Sequence, residues 1–308
     1  MNKLVSTLSL SREEWLKYRK MGIGGSDAGA ICGLNPYSTA ISVFRDKTED
    51  EISNYDNEAM RQGRDLEEYV ARRFTEETGF KVRRVNSMYQ KDEHPFMLAN
   101  VDRMLVGKNI GLECKTANTL NADKWKDDNI PEHYQIQCHH YMAVTGASSW
   151  YIAVVILGRE FKYVQINRDE ELIQNLISIE TDFWNNHVLK GIMPDPDGSK
   201  ASDEIINQYF KYAKQEKVIL NGFNEKLKRR EDLATLIDKM EKEKKIIEQE
   251  VKLAMAEAES AICDSYQIDW KNVFTSKLDV ERIKTERPEI YKDYIKRTQS
   301  RRFAVKTA

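Results

Sequence analysis

The sequence predicts an α/β protein: a mixed central sheet flanked by helices, followed by a mainly helical C-terminal extension. Two short strands near position 100, an amphipathic helix before them and a hairpin after them predict this class. The 308 residues suffice for one large core or two modest domains. Because the composition changes after a Pro- and Asp-rich break, we expect a core at 1–195 and an extension with a short β element at 196–308.

The two strands lie within residues 100–103 and 112–116. Side chains alternate across a strand, so Glu113 and Lys115 project from one face, and a tight turn between the strands can bring Asp102 alongside them. Carboxylate oxygens suit Mg²⁺ or Mn²⁺, and a lysine beside the metal can orient a water for attack on phosphorus. The pattern predicts a metal-dependent nuclease, and its alternative is a solvated face with cross-strand ion pairs.

Two neighbouring segments favour the nuclease interpretation. The apolar run at 96–99 is typical of a buried strand, and charges that emerge from a buried sheet need a partner or an ion. Apolar residues recur at helical spacing in 63–74, and Gly79 follows as a helix C-cap. Glu67 lies at the edge of that apolar stripe, so it either faces the sheet as a third carboxylate or remains a surface residue.

A glycine-rich string at 22–27 precedes a short helix. Glycines before a helix N-terminus can form a nest for an anion. The string lacks the Gly-Lys-Ser/Thr of a P-loop and the strand and acidic residue of a dinucleotide fingerprint, so we expect no nucleotide cofactor. A terminal DNA phosphate fits better, and simple helix capping by Ser26 or Asp27 is the alternative.

Composition bounds the class of protein. Charged residues make up 32% of the chain and hydrophobic residues 41%, with a net charge of −2. No run of 18 or more apolar residues and no signal-peptide core is present, so we expect a cytoplasmic protein without a membrane span. Phosphate binding requires lysines and arginines. For a chain with a net charge of −2 to bind DNA, we expect its basic groups to be concentrated along a channel.

The chain resembles the YqaJ-type viral recombinases, relatives of the phage lambda exonuclease with a PD-(D/E)XK restriction-endonuclease-like core. The resemblance begins at residues 19–28 and 33–37, where the string is very characteristic of that family. Val101 stands where the fold's name promises a proline. The matching blocks occur in the family's order, and the remaining ones are residues 63–67, Asp102, residues 113–115, residues 134–137 and residues 141–146.

The resemblance implies a role for each residue of the acidic cluster. Asp102 and Glu113 would be metal ligands, with the backbone carbonyl of Cys114 as a further ligand. Lys115 would activate or position the attacking water. Glu67 would complete the cluster, binding the metal directly or through a water. The implied metal is Mg²⁺, for which Mn²⁺ can substitute.

Three further residues receive roles from the resemblance. Gln135 would hold the nucleophile or a metal-bound water from its helix. Arg19 and Ser26 match positions that bind the 5′-phosphate end of DNA in the lambda-type enzymes. An iron–sulfur cluster is not expected, because relatives that bind one have a downstream cysteine trio, whereas the cysteines here are the scattered Cys32, Cys114, Cys138 and Cys263.

The resemblance also implies an activity and a setting. The chain would be a 5′→3′ exonuclease that acts on the ends of linear double-stranded DNA and leaves a 3′ single strand for recombination. A trimeric ring, a single-strand annealing partner and a phage or prophage origin in a bacterial host would follow. The alternatives are an endonuclease, an exonuclease of the other polarity, and a non-catalytic DNA-binding or assembly protein.

The C-terminal extension contains a charged, helix-forming stretch at 222–259. Its apolar residues follow a three-four spacing that Lys244 interrupts. This pattern predicts a short coiled coil or helical arm, which packs on its own domain or on a neighbour. The apolar positions are Leu233, Ile237, Met240, Ile247, Val251, Ala254 and Ala258.

Overall fold

A computed structural model describes residues 2–50, 56–296 and 300–306. The strands are β1 (Asn2–Ser6), β2 (Val82–Arg84), β3 (Ser87–Gln90), β4 (Leu98–Asn100), β5 (Arg103–Leu105), β6 (Ile110–Ala117), β7 (Ser149–Ile156), β8 (Glu160–Asn167), β9 (Ser260–Cys263) and β10 (Tyr266–Asp269). The helices are α1 (Arg12–Lys20), α2 (Gly25–Ile31), α3 (Ala40–Thr48), α4 (Glu58–Thr78), α5 (Glu132–Thr145), α6 (Glu170–Asp182), α7 (Lys200–Tyr209), α8 (Asn224–Met255), α9 (Val280–Glu286) and α10 (Pro288–Tyr294).

The central sheet has five strands in the order β2-β5-β6-β7-β8. Strands β6 and β7 are parallel and the other neighbours are antiparallel, so the sheet is mixed. The turn between β5 and β6 contains Gly107 with a φ of +75°, and the β7–β8 hairpin turns at Gly158 with a φ of +71°, conformations that glycine adopts without strain. The α/β fold class predicted from the sequence is confirmed.

Helices cover both faces of this sheet. On one face, Val70 and Phe74 of α4 pack with Leu112 of β6 in a buried apolar cluster. On the other face, Met142 of α5 and Trp150 of β7 belong to the larger core cluster. Side chains alternate along β6, so the residues on either side of Leu112 face α5.

Helix α4 forms where the sequence pattern places it. The Asn57 side chain accepts a hydrogen bond from the Met60 backbone N–H at the start of the helix. Gly79, with a φ of +71°, ends it in the left-handed conformation. The apolar stripe buries Val70 and Phe74 fully, which fixes the rotation of the helix over the sheet.

A second, three-stranded antiparallel sheet has the order β1-β3-β4. The chain leaves this sheet at the end of β4 and enters the central sheet at β5, so Val101 and Asp102 lie at the crossing between the two sheets. Met97, Leu98 and Ala99 are buried, as expected of the apolar run. Asp102 is therefore held by two sheets rather than one.

The chain forms two compact units, Met1–Phe210 and Lys211–Ala308. Helix α7 belongs to the first unit, where it packs near α3. The second unit contains α8, the β9–β10 hairpin and two short helices. The domain boundary after residue 195 stays a prediction. Within the described residues, no helix combines the length and apolar character needed to cross a bilayer.

Candidate active site

One cleft of the first unit contains all the predicted acidic residues. It has a volume of about 850 Å³ and opens between α1, α4 and the edge of β6. Glu67 projects from α4 into it, Asp102 comes from the crossing between the sheets, and Glu113 and Lys115 come from β6. The structure thus brings together four residues that lie up to 48 positions apart in the sequence.

The turn between β5 and β6 aligns Asp102 with β6. Arg103 pairs with Leu112 across the two strands. Asp102, which precedes Arg103, therefore lies beside the peptide that links Glu113 to Cys114. Oδ2 of Asp102 accepts a hydrogen bond of 2.9 Å from the backbone N–H of Cys114. The Cys114 peptide therefore lies directly against the carboxylate, while its side chain packs in the cluster on the α4 side.

Glu113 is the most enclosed carboxylate of the cleft, with only 4% of its surface exposed. Its Oε1 accepts hydrogen bonds from Lys115 Nζ at 2.6 Å and from Gln137 Nε2 at 2.7 Å. Its Oε2 is buried and has no hydrogen-bond partner. A buried carboxylate oxygen without a partner is costly, so this atom favours a ligand such as a cation or a water.

Lys115 is held from three sides. Its Nζ donates to Glu113 and also to Oε1 of Gln137 at 3.1 Å, and it lies 4.6 Å from the ring centroid of Tyr134. Burial alone would lower the pKa of Lys115, but the charges of Glu113, Tyr134 and Asp102 outweigh it and raise the pKa above its usual value. The side chain therefore remains a cation that donates hydrogen bonds.

The pKa of Asp102 reflects the crowding of negative charge in the cleft. Burial, reinforced by the negative charges of Glu113 and Glu67, raises the pKa of Asp102 well above its ordinary value, and Lys115 opposes that rise only in part. Carboxylates that repel one another in a buried cleft are stabilised when a cation binds between them. The electrostatics of the cleft therefore favour a positively charged ligand.

Glu67 is turned towards arginines. Its Oε1 accepts a hydrogen bond of 2.5 Å from Nη1 of Arg103 and lies 3.4 Å from Nη2 of Arg84. Arg103 is 98% buried, and it also donates to Glu68 at 2.8 Å and to the backbone carbonyl of Asp102 at 2.9 Å. This buried arginine links α4 to the segment between β4 and β5 that carries Asp102, and it sets the position of Glu67.

Gln135 does not reach the cluster. Its Nε2 donates to the backbone carbonyl of Ile130 at 2.7 Å. The glutamine at the cluster is Gln137, which bonds Glu113 and Lys115 and also donates to the Tyr141 hydroxyl at 3.1 Å. The role predicted for Gln135 stays a prediction. Residues two apart on a helix point about 200° apart, so Gln135 and Gln137 leave α5 in different directions.

Arg19 and Ser26 lie in contact with each other. Nη2 of Arg19 donates to Ser26 Oγ at 3.3 Å, and the guanidinium lies 5.0 Å from the Trp15 ring centroid. Both residues line a second cavity of about 250 Å³, and Asp102 and Lys115 line the same cavity. The pair thus adjoins the acidic cluster, although the sequence offers no direct measure of that proximity.

The glycine-rich string has a packing reason. A Cβ at Gly25 would lie 2.7 Å from the Tyr141 ring and 2.9 Å from Cγ of Gln137, so only glycine lets α2 approach α5 this closely.

Asp27 accepts a hydrogen bond from the Gly24 backbone N–H at 2.9 Å. Burial would raise the pKa of Asp27, but the cations Lys47 and Arg19 lower it to about 2.

The side chains of the cleft provide some of the oxygen ligands that a hard divalent cation needs. Asp102 and Glu113 offer carboxylate oxygens, which are the ligands that Mg²⁺ and Mn²⁺ prefer, and Oε2 of Glu113 has no other partner. In their present positions, no three His, Cys, Asp or Glu side chains of the described residues form a closed metal site. Glu67 in particular is engaged by Arg103, so it would act on a cation through a water or after turning.

Two residues of the site escaped sequence reasoning. Gln137 is a polar residue on the buried face of α5, together with His140, Tyr141 and Val144, and a polar residue on a core-facing stripe is a signal that could have found it. Arg103 follows Asp102 directly and projects to the α4 face. Nothing in the local pattern distinguishes it from an exposed strand arginine.

Comparisons with solved structures support the fold. The structure resembles an alkaline exonuclease from Laribacter hongkongensis with a TM-score of 0.50 and 18% identity, over 65% of this chain and 100% of that one. The same exonuclease in complex with dAMP gives a TM-score of 0.51 and 19% identity, over 64% and 97% of the two chains. At this level of identity the similarity establishes a shared fold.

Comparisons of sequence go further. Residues 14–148 match the model of the YqaJ-like viral recombinase domain, a range that includes every residue of the site. The chain is also 38% identical to the uncharacterized protein YqaJ of Bacillus subtilis (strain 168), over 98% of this chain and 97% of that protein. An identity of this size along almost the whole length shows that the chain belongs to the YqaJ-like viral recombinase family.

Proposed function

We propose that this protein is a Mg²⁺-dependent 5′→3′ exonuclease that degrades the ends of linear double-stranded DNA and leaves a 3′ single strand. The observation that carries the proposal is the buried Glu113 carboxylate, which is bonded through Oε1 to Lys115 and Gln137 while Oε2 lacks a partner. Membership of the YqaJ-like viral recombinase family and the fold shared with an alkaline exonuclease support it.

The residues of the cleft have distinct roles in this proposal. Asp102 and Glu113 hold the divalent cation, with the Cys114 carbonyl as a further ligand and Glu67 acting through a water. The cation supplies Lewis acidity at the scissile phosphate and lowers the pKa of a bound water. Lys115 stays protonated, so it orients the attacking water and stabilises negative charge on the phosphate rather than removing a proton.

The 5′ polarity rests on the residues beside the cluster. Arg19 and Ser26 share a cavity with Asp102 and Lys115, so a terminal phosphate bound by this pair lies next to the hydrolytic centre. The guanidinium of Arg19 can bind a phosphate with two parallel hydrogen bonds. The similar exonuclease was solved with dAMP, which is a mononucleotide of the kind this reaction releases.

The setting follows from the family resemblance. We propose that the chain acts in recombination together with a single-strand annealing protein, as a closed oligomer such as a trimeric ring, in the cytoplasm of a bacterial host. A ring that encloses the duplex would keep the enzyme on its substrate between successive cleavages.

Digestion of end-labelled linear duplex tests the proposal. With Mg²⁺ present, we expect release of mononucleotides from 5′ ends, faster from 5′-phosphate than from 5′-hydroxyl ends, and no cutting of closed circles. Lys115→Ala should lower turnover about 10²–10³-fold, because it removes the cation beside the reacting water. The exposed Lys190→Ala serves as the matched control.

Three other results would redirect the proposal. Cutting of closed circles would show an endonuclease, and release from 3′ ends would reverse the polarity. Tight binding of duplex DNA without cleavage, in the presence of either Mg²⁺ or Mn²⁺, would point to a DNA-binding or assembly protein.

The two glutamines of α5 provide a paired test. Gln137→Ala should lower kcat about 10–100-fold, because Glu113 and Lys115 both lose a partner that fixes their positions. Gln135→Ala should leave kcat near the wild-type value, since within the described residues its side chain bonds only the backbone carbonyl of Ile130. Single-turnover digestion of a 5′-phosphorylated duplex measures both. The reverse order of effects would restore Gln135 to the site.

Asp102 gives the protein a characteristic pH dependence. Its pKa is raised in the folded state, so as the pH rises the unfolded chain releases this proton first and the fold loses stability. Asp102→Asn removes that loss, and its amide oxygen can still accept the bond from Cys114 N–H. In EDTA, the variant should melt above the wild type near neutral pH, and the difference should shrink as the pH falls towards about 4.

The control for this experiment is Asp65→Asn, which changes an exposed carboxylate on α4. That variant should show little pH-dependent difference from the wild type. Addition of Mn²⁺ should raise the melting temperature of the wild type and leave Asp102→Asn almost unchanged. Equal stabilisation of both proteins by the cation, or a variant less stable than the wild type at every pH, would contradict the role of Asp102.

A further inference from the structure

Helix α8 of the second unit exposes an apolar stripe that Lys244 interrupts once. Ile237, Met240 and Ile247 have 53%, 70% and 55% of their surface exposed, although such side chains are usually buried. They are separated by steps of three and seven residues along a helix of 32 residues, so they lie on one face of it. A stripe of this length and spacing is the seam that a second helix covers in a coiled coil.

The seam has a defined register. Steps of four and three residues connect Leu233, Ile237, Met240, Lys244, Ile247, Val251 and Ala254 in order. Ile237 to Ala254 fill the a and d positions of three successive heptads, and Leu233 is the d position before them. Lys244 is the one charged residue in this run, with 77% of its side chain exposed, and its Nζ lies 3.7 Å from Glu248 Oε1.

Charge is segregated around the seam. The positions that border it in its central part are all acidic, whereas the lysines of the same segment lie on the outer face of the helix, apart from Lys244. Border positions of a coiled coil contact the partner and select it by charge. The acidic border residues are Glu241, Glu243, Glu248 and Glu250, and the outer lysines are Lys239, Lys242, Lys245 and Lys252.

We propose that this stripe is a docking site for an amphipathic helix of another protein, whose apolar seam is bordered by Lys or Arg and carries one Asp or Glu opposite Lys244. A basic border on the partner would pair with the four glutamates. An acidic residue in the partner's seam would add a second counter-charge to the one that Glu248 supplies at 3.7 Å, because Lys244 loses hydration when the seam is covered. A lysine in a seam thereby fixes both the register and the identity of the partner.

A second copy of this chain fits the seam poorly. In a parallel pair, Lys244 would face Lys244, and each Glu243 would face a Glu248. In an antiparallel pair centred on this segment, Glu241 would face Glu241 and Glu243 would face Glu243. Like charges opposite one another destabilise both arrangements, so the charge pattern favours a different protein as the partner.

A pair of synthetic helical peptides tests the docking site on the full-length protein. Both carry Ile and Leu in the seam and one Glu placed to face Lys244, but one has Lys at the border positions and the other has Glu. Fluorescence anisotropy at low salt measures their binding. The Lys-bordered peptide should bind about tenfold more tightly or better, because its four lysines face the four glutamates that border the seam.

Charge reversal on the protein supplies the matched test. The variant with Glu241→Lys, Glu243→Lys, Glu248→Lys and Glu250→Lys should bind the Glu-bordered peptide instead, and circular dichroism should show unchanged helix content because these residues are largely exposed. Met240→Asp with Ile247→Asp should lose binding of either peptide at an unchanged molar mass. These changes lie outside the proposed active site, so DNA digestion by the variants reports on correct folding independently.

Several results would overturn the docking site. Equal binding of the two peptides, or no switch of preference after charge reversal, would show that border charge does not select the partner. Failure of both peptides to bind would show that another part of the chain or a second copy covers the seam. A fall in molar mass caused by the Met240→Asp and Ile247→Asp variant would identify a second copy as the occupant.

Discussion

The burial of like charges around Asp102 is the constraint on which the rest of the site depends. The carboxylate is fixed where the chain passes from the three-stranded sheet into the central sheet, and the Cys114 N–H holds it against β6. Glu113 and Glu67 add negative charge from β6 and α4. Such a group of carboxylates is stabilised when a cation binds among them or when one of them takes up a proton.

Cations of the chain lie on both sides of the central sheet, and Arg84 adds a third positive charge 3.4 Å from Glu67. Lys115 compensates Glu113 on the α5 side, and Arg103 compensates Glu67 on the α4 side. Neither contacts Oε2 of Glu113, and the pKa of Asp102 remains raised despite Lys115. The compensation within the protein is thus incomplete, and the remaining deficit lies where a divalent cation is proposed to bind.

Local patterns were sufficient to predict the scaffold but not all of the site. Period-two alternation in β6 and helical periodicity in α4 predicted the elements that carry Glu113, Lys115 and Glu67, because each pattern follows from burial of one face. The choice between Gln135 and Gln137 needed the rotation of α5, which depends on distant residues such as Trp150 and on the close approach of α2 at Gly25. The resemblance to a family could not make that choice, since both glutamines lie in the same short motif.

Arg103 illustrates a second limit. Its burial depends on α4 lying over β5, and a pairing 36 positions apart in the chain leaves no periodic trace in either segment. Helix α8 shows the converse case, because its heptad pattern is plain in the sequence and the structure leaves the seam exposed. In the first unit acidic residues are buried around a predicted cation, whereas in α8 they border an apolar stripe at the surface.

The central claim is that Asp102 and Glu113 jointly hold a divalent cation. Crystals grown with Mn²⁺ and measured at the manganese absorption edge test it directly, because anomalous scattering locates the ion without reference to activity. We expect a peak within about 2.0–2.3 Å of oxygen atoms from both Asp102 and Glu113. A fully occupied manganese site elsewhere in the protein, with Oε2 of Glu113 still without a ligand, would contradict it.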